Sequence, residues 1–205
     1  MATKTATIPS GGVKYDLQKW SVKVSGITPI LFDRYPGDNK TKLEPHQKLY
    51  LDEDKKTVCL PATNVQGFLS SENTMSAPKR LFAKEWKKIA QGCLSYVTIE
   101  PTMIPFMRDG KKIEFGGFKN GLDALSGMTV RYDTARLKDG VPNPKERPIL
   151  YTPWELHFTV GLYSNPGEIN ETTLQYLFRQ GGIALGFGTF RGVFGKFQIT
   201  GWSEI

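Results

Sequence analysis

Cysteine, histidine and long hydrophobic runs are what this 205-residue chain has least of, and each scarcity removes a class of function. His46 and His157 lie far apart, and no cysteine, serine or carboxylate pattern accompanies either at a catalytic spacing. No zinc-ligand spacing exists, so neither a metal nor another cofactor is expected. Cys59 and Cys93 sit in apolar runs (Val58-Cys59-Leu60, Cys93-Leu94), where cysteine behaves as a small buried hydrophobe, and a disulfide framework is not expected. No segment reaches the ~20 apolar residues of a membrane helix. The N-terminus Met1 to Ile8 lacks the apolar stretch of a secretion signal, so a cytoplasmic protein with no membrane partner is expected.

What is present is ordinary globular material with an excess of positive charge. Hydrophobic residues make up 39% and charged residues 23%, enough to bury a core, and one domain over residues 1–205 is expected. Lys plus Arg number 27 against 20 Asp plus Glu, a formal +7, which draws polyanions by long-range attraction.

Periodicity places the elements. Residues 1–17 read as an arm. Trp20, Val22 and Val24 alternate with Lys19, Ser21 and Lys23, the period of a half-buried strand running toward Ile30-Leu31-Phe32. A polar loop follows from Asp33. Leu49 to Leu51 and Thr57 to Leu60 flank an acidic turn, whose carboxylates are turn formers rather than a metal site. Thr63 and Gln66 have capping-box spacing, with Val65, Phe68 and Leu69 on one face of the helix they open. A second helix is predicted from Pro78 to Gly92, with Phe82, Trp86, Ile89 and Ala90 inward. Its other face carries Lys79, Arg80, Lys84, Lys87 and Lys88, which is either a solvated face or a polyanion contact.

Residues 94–106 form a strand broken by Pro101 and Pro105. From 108 to 147 nine cations, including Arg131 and Arg136, alternate with six acids, glycines and short β-favouring pieces, and a projecting hairpin insertion is expected. Trp154, Leu156, Phe158, Val160 and Leu162 then alternate with Glu155, His157 and Thr159. Asn170 caps a helix that should end at Gly181-Gly182, and Phe194 to Trp202 form the last strand. The order strand, helix, strand, strand, helix, strand is the α+β, ferredoxin-like βαββαβ arrangement shared with RNA recognition motifs, here with inserted β-hairpins.

The most informative stretch runs from Gly181 to Phe197. Glycines at 181, 182, 186, 188, 192 and 195 let backbone approach a ligand and leave N–H groups for phosphate oxygens. They follow a helix and precede a strand, the reverse of a P-loop or dinucleotide fingerprint. Interleaved are Phe187, Phe190 and Phe194 with Arg191 and Lys196, and no acid. Rings that stack on bases beside cations that meet phosphates make a single-strand binding surface. A second reading has the same rings plugging the core above a tight turn. Arg34, Arg80, Arg131 and Arg136 are the further candidate backbone contacts.

Two segments resemble a known family. Leu60-Pro61-Ala62-Thr63-Asn64-Val65-Gln66-Gly67-Phe68-Leu69 is similar to the proline-led strand-to-helix junction of the RAMP superfamily, and Leu185 to Phe197 to its C-terminal glycine-rich loop. That superfamily includes the RNA-binding backbone subunits of CRISPR effector complexes. The resemblance implies guide RNA bound along a filament of copies and a hairpin thumb corresponding to 108–147. Some relatives cut RNA with an acid in the loop after the first strand, where Asp33 and Asp38 stand, but acids in such a turn are expected to be turn formers. The function expected is thus a non-catalytic subunit binding single-stranded RNA, in a homo-oligomer or ribonucleoprotein complex. A phage single-stranded DNA-binding or recombination protein, and a structural or assembly protein, are the alternatives.

Overall fold

In the computed structural model, which describes residues 16–38, 40–136, 140, 142–165 and 167–205, the first alternating run becomes strand β1 (Leu17–Gly26), with Trp20, Val22 and Val24 buried. The expected N-terminal arm lies outside the described residues except for its last two. Ile30 and Leu31 do not extend β1. They form a separate strand, β2 (Ile30–Leu31), in a second sheet. Next come β3 (Cys59–Pro61), α1 (Ala62–Ser70), α2 (Ala77–Leu81) and α3 (Trp86–Tyr96). The chain continues through β4 (Val97–Glu100), β5 (Met103–Arg108), β6 (Lys111–Lys112), β7 (Thr129–Arg136) and β8 (Pro142–Leu150). It closes with β9 (Glu155–Tyr163), α4 (Glu171–Ala184) and β10 (Phe197–Glu204).

β1 pairs antiparallel with β9 on one side, Val22 opposite Phe158, and with β10 on the other, Val22 opposite Trp202. β4 lies beyond β9, Val97 opposite Leu162. The order β10-β1-β9-β4 puts the first strand between the last and the third, the ferredoxin-like order expected from the sequence. Helices cover the face that carries Val22 and Phe158. Phe178 of α4 packs on Phe158 and Trp202, both at 5.9 Å between ring centroids. The second sheet, ordered β2-β8-β7, is built around the β7–β8 hairpin, in which Arg131 stands opposite Arg147 and Asp133 opposite Lys145.

Several local expectations yield to packing. Thr63 and Gln66 form no capping box: Pro61 occupies the N-cap position without a side-chain cap, and Gln66 Nε2 donates to the Cys93 carbonyl at 2.9 Å. A cap contributes about 1 kcal/mol, whereas burying each of Val65, Phe68 and Leu69 contributes ~1.5–3 kcal/mol, so the buried face sets the helix. The helix expected over 78–92 is two helices, interrupted where Phe82 turns extended and meets Tyr176 of α4 edge-on at 5.6 Å. Gly92 does not end α3. It sits mid-helix, where an added Cβ would lie 2.6 Å from Ile169, so it admits a close crossing instead. Likewise α4 runs through Gly181-Gly182 to Ala184, because those glycines let it seat against Phe68, Ala77 and Phe197. The last strand starts at Phe197 rather than Phe194.

The insertion also divides. Ile113 and Met128 are buried in the main core and Val58 N–H donates to the Ile113 carbonyl, so residues 113–128 fold back onto the body. Asp123, itself buried, accepts from the backbone of Gly116, Leu125 and Ser126 and from the Ser126 hydroxyl, which makes that return a fixed turn. β8 is buried at its sheet end and exposed toward the hairpin tip, so the projecting portion is narrower than 108–147. Asn170 caps α4 as expected, accepting from Thr173 N–H at 2.8 Å.

Candidate nucleic-acid interface

Phe187 does not join the stacking surface expected of it. It is fully buried, stacked on Phe197 at 4.2 Å and edge-on to Phe68 at 5.1 Å, so its ring belongs to the core and presents no face to a base. The loop amides expected to be free are largely used inside the protein. Phe187 N–H donates to Gly195 O, Gly188 to Asn64 Oδ1, Thr189 to Leu31 O, Gly192 to Leu185 O, and Gly195 to Pro29 O. Lys196 N–H donates to Thr28 Oγ1 at 3.0 Å, and its carbonyl accepts from Ile27 and Thr28. The loop is a laced strap held by β2, the residues before it and α1, rather than an open phosphate nest.

What emerges from the strap is its tip. Phe190 is 54% exposed at a φ of +53°, in the left-handed region that side chains rarely occupy, and its ring lies 5.8 Å from that of half-buried Phe194. The Arg131 guanidinium of β7 stands over Phe194 at 5.1 Å. Arg191 donates to Thr74 Oγ1 at 3.0 Å, and burial lowers its pKa. Val193, also 54% exposed, completes the tip. The structure thus brings together Phe190, Arg191 and Arg131 from two distant segments, with Phe194 as the link.

Arg131 is itself held. Its Nε donates to Asp133 at 2.9 Å, and Asp133 lies 3.9 Å from Arg147 Nη1. Arg147 donates to Asp33 at 2.9 Å, and Asp33 faces Lys48 Nζ at 3.7 Å. This line of alternating charge joins the root of the hairpin to the loop after β2. It was not legible in the sequence, since Arg147 and Asp33 are 114 residues apart. Asp33 is therefore occupied by two cations. Asp38 accepts from the N–H of Lys40 and Thr41 and from the Thr41 hydroxyl, bonds led by the Thr41 amide that hold its carboxyl below the usual range. Asp33 is thus an ion-pair partner of Arg147 and Lys48 rather than a turn former, whereas Asp38 sits in the turn role expected of it. At the 52–57 turn Asp54 does the same with Thr57 and Lys56, and its pKa falls to about 2.

The other candidates scatter. Arg34 is exposed on the loop after β2, 5.9 Å over the Tyr50 ring, and Arg80 is exposed on α2. Arg136 is in β7, but its side chain lies outside the described residues. Lys79 and Lys87 both approach the Trp86 ring, at 5.1 and 5.6 Å. His157 pairs with Glu155 at 3.4 Å on the uncovered face of the sheet. That face carries Lys23, Ser21 and Thr159 around it, where an RNA recognition motif presents aromatic rings. Sequence reasoning missed Asn64 and Thr74 as the residues that tie down the loop. Burial pushes both thiols, Cys59 and Cys93, up to about 12. Among the described residues no cluster of three or more His, Cys, Asp or Glu could hold a metal, and no helix is long and apolar enough to cross a membrane.

No protein-family model matches the chain, and no curated protein matches it. Solved structures do. A chain of the type III-B Cmr-beta complex bound to cognate target RNA superposes with a TM-score of 0.51 at 12% identity, over 92% of this chain. The likeness is one of fold. This chain spans 61% of the length of that Cmr-beta chain, and both share the α+β organisation described above.

Proposed function

We propose that this chain is a subunit that binds single-stranded RNA through backbone contacts and base stacking, with no catalytic centre of its own, and that it works in multiple copies or within a ribonucleoprotein complex. The observation that carries this reading is the tip of the glycine-rich strap: the exposed ring of Phe190 beside Phe194, flanked by Arg131 and Arg191. Aromatic faces accept any base and guanidinium groups meet phosphates, which suits sequence-tolerant binding of a single strand. Support comes from the fold shared with a chain of an RNA-bound Cmr-beta complex and from the formal +7 charge. On this reading the chain belongs with the RAMP superfamily.

The test is fluorescence anisotropy with a labelled single-stranded RNA. Phe190→Ala is expected to weaken binding about 5- to 150-fold, the ~1–3 kcal/mol of one base–aromatic stack. Equal affinity for the variant and the parent protein would sink the proposal. Competition by DNA of the same sequence distinguishes RNA from DNA through the 2′-hydroxyl. The exposed Val193 next to Phe190 also favours a protein contact, as in an assembly protein. That reading requires large oligomers that form without nucleic acid and survive high salt.

A further inference from the structure

A cleft of about 240 Å³ opens between the loop after β2 and the hairpin strand β8, and it is lined by Arg34, Lys40, Lys42, Lys48 and Lys145 together with Asp33. Few acids offset these five cations. Asp33 is shared between Lys48 and Arg147, and Lys42 reaches Glu146 only at 3.9 Å. Lys48 is buried, and its ammonium donates to the Glu146 carbonyl. Burial is the main cause that lowers its pKa; Lys145 and Arg147 add to that shift, and Asp33 and Glu146 oppose it. Asp38 holds one wall of the cleft, accepting from the Lys40 and Thr41 amides and from the Thr41 hydroxyl, next to Lys42 in the chain.

We propose that this cleft is a phosphate-binding site, and that in the bound state it seats a phosphodiester of the same strand whose bases reach Phe190. The second clause rests on the proposed function; the first does not. A concave site with excess cations concentrates anions more strongly than the same charges on a flat surface, because low-dielectric walls focus the field. The cleft and the strap tip are the two ends of one line of contacts, from Phe194 through Arg131, Asp133, Arg147 and Asp33 to Lys48. A strand lying along the hairpin root would meet an aromatic platform at one end and a cation pocket at the other.

The experiment uses the full chain and two probes, inorganic pyrophosphate followed by calorimetry and a labelled single-stranded RNA titrated across salt concentrations. The variant Lys40→Ala/Lys145→Ala removes two lining cations and leaves the buried Lys48 and the Lys42–Glu146 pair in place. It is expected to weaken pyrophosphate binding at least tenfold. It should also flatten the slope of log affinity against log salt by about 1.4, two contacts at ~0.7 each on a single strand. Lys40→Arg/Lys145→Arg should restore both, and Phe190→Ala should leave pyrophosphate binding unchanged while weakening RNA. Pyrophosphate binding that is absent, or equal in the parent protein and the double alanine variant, overturns the phosphate site. An unchanged salt slope with RNA still bound overturns its role along the strand and leaves the strap-tip reading intact. Pyrophosphate bound in the cleft with no RNA bound at all overturns the proposed function and supports the phosphate site alone.

Discussion

Residues 181–188 and 189–194 both mix glycine with phenylalanine, yet Phe187 is fully buried against Phe197 whereas Phe190 is half in solvent on a left-handed backbone. In the first stretch the glycines are packing devices. In the second, Gly192 has nothing within 4 Å of where a Cβ would be. One composition therefore serves two ends: the first stretch holds the strap to the core and the second presents its tip. Positive φ at Phe190 adds to the contrast, since a side chain there costs of order 1–3 kcal/mol and persists only where the surroundings impose it.

The comparison breaks most sharply at Gly195, which faces the inner stretch. An added Cβ would lie 2.0 Å from the Phe187 carbonyl at a φ of +70°, so Gly195→Ala is expected to destabilise by more than about 4 kcal/mol or to abolish folding, as read by urea denaturation. Gly192→Ala, with a φ of +91° but open space, should cost only about 1 kcal/mol. Similar losses at the two glycines would erase the distinction between strap and tip. Phe187→Ala comes next, with a loss of about 3–5 kcal/mol on denaturation, because the ring fills a closed contact with Phe68 and Phe197. Smallest is Phe190→Gly, which relieves the left-handed backbone and should stabilise by about 0.5–1 kcal/mol while weakening RNA binding. Destabilisation by that change would mean that the Phe190 ring is part of the packing.

Much of the fold was legible because its signals are local. The alternation at Trp20, Val22 and Val24, and again from Trp154 to Leu162, marked the two central strands, and Asn170 marked the start of α4. Helix ends were less legible. Gly92 and Gly181-Gly182 read as stops but lie inside helices, because their missing side chains serve crossings with Ile169, Phe68 and Phe197 that local patterns do not encode. The site was partly legible. Phe190, Arg191 and Arg131 were named from composition, whereas their juxtaposition through Phe194 depends on a hairpin that returns from far along the chain.

The amino-acid sequence alone determined which stretches alternate, which coil, and that cations outnumber acids, because these properties need no knowledge of neighbours. Tertiary structure alone decided which phenylalanine in the glycine-rich segment faces inward, which amides are satisfied, and which cations share a cleft. The physical reason is that exposure and electrostatic environment belong to the assembled neighbourhood: Phe68 and Phe197 enclose Phe187, while Phe190 stands clear beside Phe194 and Arg131.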